Sequence, residues 1–92
     1  MSTMVVNNTA RDRFELIENE ALAYAAYQHR GGKLFITYVE AATALRGTGA
    51  AGRLMEGVVA ALRHDGIKAV PICGYAVSWF RRHPEHADVL AA

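Results

Sequence analysis

Between Leu45 and Gly52 the chain reads LRGTGAAG, with Gly47, Gly49 and Gly52 close together. Glycine before and inside a helix carries an entropic cost. That cost makes sense where backbone N–H groups must come close to a ligand. A helix N-terminus offers unpaired N–H donors and a partial positive charge, which together suit an anion. Arg46 adds a fixed cation at the start of the loop. A diphosphate fits such a site.

Two spacings compete for the loop. G-x-G-x-x-G suggests a dinucleotide, and R-x-x-G-x-A, from Arg46 to Ala51, suggests coenzyme A. A dinucleotide fold needs its glycines directly after the first strand and an acidic residue at the end of the second. Here Ala41 to Leu45 stand between the strand and Arg46, and the second strand ends in Ile72-Cys73. No Gly-Lys-Ser/Thr follows, so a nucleotide P-loop is excluded. A plain glycine-rich helix start with no ligand remains the structural alternative.

The other reactive side chains are few. Cys73 is the single cysteine, so no internal disulfide forms and a cytoplasmic location is expected. The alternative is a small buried hydrophobe. His83 and His86 share a helix face at i, i+3, but no third ligand is evident, so no metal is expected. His29 and His64 fall at exposed positions, while Trp79 and Phe80 are expected to close the core.

These residues must be positioned by a small set of elements. Met4 to Asn7 is a candidate edge strand. Arg13 to Ile17 alternates, with Phe14 and Leu16 on one face. Glu20 to His29 fits either a helix, by its alanines, or a strand; turns at Glu18-Asn19 and Gly31-Gly32 favour the strand. Lys33 to Glu40 is rich in β-formers. Ala51, Leu54, Met55, Val58, Val59 and Leu62 make the apolar stripe of a helix that Gly66 ends. Ile67 to Ile72 reads as a strand buried on both faces. Strand, helix, strand is a βαβ unit, so Lys33–Glu40 and Ile67–Ile72 should run parallel. Tyr75 to Arg82 is expected to be helical, and Pro84 opens a last short helix through Leu90. The predicted class is α+β: an antiparallel meander, then one βαβ crossover in a mixed sheet, then short C-terminal helices.

Residues 1–92 are read as a single domain, with residues 1–4 flexible. Net charge is +1 and the basic residues are dispersed, so neither nucleic acid nor an anionic membrane is an expected partner. No apolar run has the length of a membrane span, and no secretory signal opens the chain.

Arg46-Gly47-Thr48-Gly49-Ala50-Ala51 resembles the acetyl-CoA loop, R/Q-x-x-G-x-G/A, of the GNAT superfamily of N-acetyltransferases. Four further stretches resemble a small single-domain subgroup of it. They are Arg13-Phe14-Glu15-Leu16, Glu40 ahead of Leu45-Arg46-Gly47-Thr48-Gly49, Gly66 to Cys73, and His83 to Asp88. The resemblance runs in order from about Val5 to Leu90. It implies that Glu20–His29 is a strand. It also implies that the two parallel strands splay, with the pantetheine arm between them. Acetyl-CoA would be held by Leu45, Arg46, Gly47, Thr48, Gly49, Ala50, Ala51 and Gly52. The chain departs from the subgroup in reading Tyr38-Val39-Glu40 for His-Thr-Glu, and Gly74 for the proline after the cysteine.

The implied activity is transfer of an acetyl group from acetyl-CoA to a primary amine, on a small molecule or a protein lysine. Such chemistry needs a neutral amine, a stabilised oxyanion and a proton for the leaving thiolate. Glu40 is the candidate base, or else an ordinary strand-end carboxylate. Cys73, at the end of the last parallel strand, is a candidate acid or nucleophile. Tyr75 is the alternative acid, or else a packing aromatic. A non-catalytic acyl-CoA-binding module is the competing function. The residues favour neither a monomer nor a homodimer.

Overall fold

The computed structural model describes residues 4–91, and the expectation of flexibility for residues 1–3 lies outside them. Five strands form one mixed sheet whose spatial order follows the chain: β1 (Val5–Asn8), β2 (Arg13–Glu18), β3 (Ala21–Arg30), β4 (Lys33–Ala41) and β5 (Lys68–Pro71). The first four run antiparallel, and β5 lies parallel to β4. Two helices complete the fold, α1 (Ala50–Asp65) and α2 (Gly74–Arg82), and Pro84–Val89 is a 3-10 helix. The class is therefore α+β, as the sequence predicts.

The alanine-rich segment is strand because its alternation outweighs its helix propensity. Ala23, Ala25 and Tyr27 are buried, while Leu22, Tyr24 and Ala26 are half-buried. Tight two-residue turns fix both of its ends. Asn19 and Glu20 have φ of 50° and 64°, and Gly31 and Gly32 have φ of 57° and 77°, the positive values such turns require. Glycine fits there without strain; Asn19 and Glu20 are held there by the ladder on both sides.

The apolar stripe of α1 packs across the sheet. Leu54, Met55, Val58, Val59 and Leu62 meet Phe14 and Leu16 of β2, Ala23 and Ala25 of β3, and Leu34 and Ile36 of β4 in one core. Gly57 lets β1 approach: a Cβ there would stand 2.2 Å from Val5 Cγ2. Gly66 ends α1 at φ 68°, donating to Arg63 and Leu62 carbonyls. Trp79 and Phe80 are buried as expected.

Two details differ from the sequence reading. β5 is an edge strand, not one buried on both faces: Lys68 is exposed, Ala69 buried, and Val70 and Pro71 half-buried. Beyond it, among the described residues, lies a single bridge from Ala69 to Leu90. Proline at such an edge costs no ladder bond. The other difference is a bulge in β4. Tyr27 pairs with Ile36 and Ala26 with Tyr38, so Thr37 has no partner of its own. Its hydroxyl donates to the Ala26 carbonyl at 3.3 Å. The extra residue reverses the phase of the strand. Leu34 and Ile36 face the core before it; Val39 and Ala41 pack on the core after it. Tyr38 and Glu40 are thereby turned to the other face. Among the described residues no helix is long and apolar enough to cross a membrane.

Candidate functional site

The bulge marks where β4 and β5 part. Their last paired residues are Ile36 and Pro71, and the Ile36 carbonyl accepts from both Ile72 and Cys73 N–H, at 2.9 and 3.3 Å. Past that point β4 runs on to Ala41 with no strand on its β5 side among the described residues. Ala42 N–H donates to Leu22 carbonyl at 2.9 Å, so Ala42 faces β3. By the alternation of the ladder, Val39 and Ala41 turn their N–H and C=O groups to the open side.

A cleft of about 240 Å³ occupies this gap, lined by Val39, Glu40, Ala41, Arg46, Ala51 and Tyr75. Four segments thus meet there: the end of β4, the glycine loop, the first turn of α1 and the first turn of α2.

The loop is built to leave donors free. Gly47 and Gly49 have φ of 78° and 84°, which side-chain-bearing residues rarely adopt. Thr48 stitches the turn: its N–H and hydroxyl both donate to the Leu45 carbonyl, and its Oγ1 accepts from Ala50 N–H at 3.3 Å. Arg53 N–H begins the helical ladder by donating to Gly49 carbonyl. The N–H groups of Gly47, Gly49, Ala51 and Gly52 find no acceptor among the described residues. Leu45 is buried and both of its backbone groups are bonded inside the chain, so it anchors the loop. Arg46 is exposed on the cleft.

One partner of the loop was not read from the sequence. Arg53 folds over Gly49, its Nη1 lying 3.1 Å from where a Cβ would be. It grips Glu18 through two bonds of 2.8 and 2.7 Å. That pair ties the first turn of α1 to the end of β2, and Arg53 holds the Glu18 carboxyl below the usual carboxylate range. No local signal links residues so far apart in the chain.

The three candidate catalytic residues fall in different settings. Glu40 lines the cleft, and its Oε1 accepts from the Tyr38 hydroxyl at 2.8 Å. This bond raises the Tyr38 pKa, with the Glu40 charge adding to it. Tyr75 also lines the cleft. Burial pushes its pKa up, Arg82 opposes the rise and Cys73 adds to it. Cys73 does not line the cleft: it caps α2, its Sγ accepting from Ala76 N–H at 3.4 Å.

The histidines are engaged in the C-terminal packing. His83 Nδ1 meets the Trp79 carbonyl at 2.7 Å, and His86 lies between Glu56 and Arg63. Among the described residues no cluster of three His, Cys, Asp or Glu side chains stands ready for a metal.

No curated protein gives a match to the chain. A family model does, the one described as GCN5-related N-acetyl-transferase, and its match takes in residues 13–89, from β2 through the last 3-10 helix. With that coverage, and with a mixed sheet whose parallel pair opens onto a glycine loop, the chain belongs to the GCN5-related N-acetyltransferase family.

Proposed function

We propose that the protein binds acetyl-CoA in the cleft and transfers its acetyl group to a primary amine. The observation that carries this reading is the set of four free N–H groups, on Gly47, Gly49, Ala51 and Gly52, beside the open edge of β4. The first set suits a diphosphate. The second suits an amide-bearing arm lying as an extra strand, the position pantetheine takes.

Acetyl-CoA supplies an activated thioester; the chain supplies the positioning and the proton movements. Tyr38 holds Glu40 Oε1 and leaves Oε2 without a protein partner among the described residues. Glu40 takes the proton from the incoming amine. The Val39 N–H, turned to the open side, donates to the carbonyl oxygen as negative charge grows on it. Tyr75, kept protonated by its raised pKa, gives its phenolic proton to the departing sulfur. A C–N bond forms, the C–S bond breaks, and solvent carries the proton from Glu40 back to Tyr75. Cys73, as the cap of α2, sets the position of Tyr75.

The test is calorimetric titration with acetyl-CoA and CoA, followed by free-thiol release with polyamine and lysine-peptide acceptors. Binding with thiol release supports the reading. Failure to bind either CoA species overturns it, and binding without release from any amine favours the acyl-CoA-binding module.

A further inference from the structure

Gly52 differs from the two glycines before it. Gly47 and Gly49 need their positive φ, but Gly52 sits inside α1 at an ordinary helical φ. Alanine would suit that position better by helix propensity. A Cβ there would meet one atom within 4 Å, the indole Nε1 of Trp79, at 3.8 Å.

Trp79 is 2% exposed, yet its indole N–H has no acceptor among the described residues. Among the described residues, no side-chain nitrogen or oxygen that is fully enclosed lacks a partner. The nitrogen therefore reaches the surface, and it does so beside the first turn of α1. His83 stacks on the ring at 4.1 Å between ring centres, and His86 lies nearly parallel to it at 5.6 Å. His83 is itself tied to the Trp79 carbonyl. A buried donor thus lies beside the first turn of α1, where Ala51 and Gly52 carry two of the free backbone N–H groups.

We infer that Trp79 is a binding residue: its indole N–H donates to a diphosphate oxygen of CoA over the first turn of α1, and Gly52 keeps that donor uncovered. The inference rests on the CoA reading above. Charge-assisted bonds of this kind carry about a tenfold to hundredfold share of affinity. Glu18, which reaches the first turn of α1 through Arg53, is occupied by that pair and does not compete for the donor.

Trp79 is the chain's one tryptophan, so its indole N–H gives one resonance in a heteronuclear NMR spectrum. That resonance should move downfield on titration with CoA and with inorganic pyrophosphate, and stay in place with pantetheine. By calorimetry, Trp79→Phe should bind CoA about tenfold more weakly. Gly52→Ala should raise Tm and still bind CoA several-fold more weakly, which separates lost binding from lost folding. If the loop amides shift with CoA while the indole resonance stays put and both variants bind normally, the role of Trp79 falls and the CoA reading stands. If the unmodified protein binds no CoA, both fall.

Discussion

Cys73 offers its sulfur to a helix N–H, and that contact separates its possible roles. Serine caps a helix at least as well as cysteine, and alanine does not cap at all. Cys73→Ser should keep Tm and turnover near those of the parent. Cys73→Ala should lose about 1 kcal/mol of stability, read by denaturant unfolding. A large fall in turnover for the serine variant with its stability intact would restore the thiol as nucleophile. Glu40 makes the opposite prediction. Glu40→Gln keeps the bond from Tyr38 but cannot take a proton, so kcat should drop about a hundredfold with the acetyl-CoA KM unchanged. An unchanged kcat would remove Glu40 from the reaction. The residue types of the loop were readable because glycine and arginine at that spacing have few other uses. The tie from Tyr38 to Glu40 was not, because it depends on which face of β4 the two share.

That face is decided by the bulge at Thr37, an element-scale feature. Read as an unbroken strand, Lys33 to Glu40 puts Ile36, Tyr38 and Glu40 on one side. The extra residue moves Tyr38 and Glu40 away from the core and brings Val39 and Ala41 to it. A trace of this exists in the sequence, since the small apolar residues change from even to odd positions after Thr37. Hairpins, by contrast, were legible from their turns, and α1 from its stripe and its terminal glycine. Gly57 was not singled out, because its reason lies in β1, far away in the chain. Adding a methyl there must push Val5 aside. Gly57→Ala should cost about 1–3 kcal/mol by overpacking, despite its better helix propensity, with a lowered denaturant midpoint as the readout. A gain in stability would mean that β1 yields at no cost.

Across the whole molecule, ion pairs on the surface brace β2 within itself, tie α1 to β2 and tie α1 to the last 3-10 helix. Arg13 holds Glu15, Arg53 holds Glu18 and Arg63 holds Asp88, and each arginine keeps its carboxyl below the ordinary range. A carboxyl depressed in the folded state stabilises above its unfolded pKa, and that contribution is lost as pH falls through the folded one. Tm should therefore be level near neutrality and decline once pH drops below the ordinary carboxylate range. Glu18→Gln should flatten part of that decline; an identical acid profile would show that the pair contributes nothing. The exposure of these pairs keeps each effect small.

The strand order has a kinetic side. β2, β3 and β4 are joined by two-residue turns, so their pairing closes short loops. The pairing of β4 with β5 must wait for the whole of α1 to fold back, a far larger loop closure. It is also brief, ending at Ile36 and Pro71. This seam spans four residue pairs, as short as that of β1 with β2, and it should open early under native conditions. Hydrogen exchange should find the amides of β5 and the start of α2 trading with solvent before those of β2 and β3. A molecule lodged in the gap would clamp the seam shut, so occupancy should be legible as slowed exchange in β5, a strand that does not line the gap.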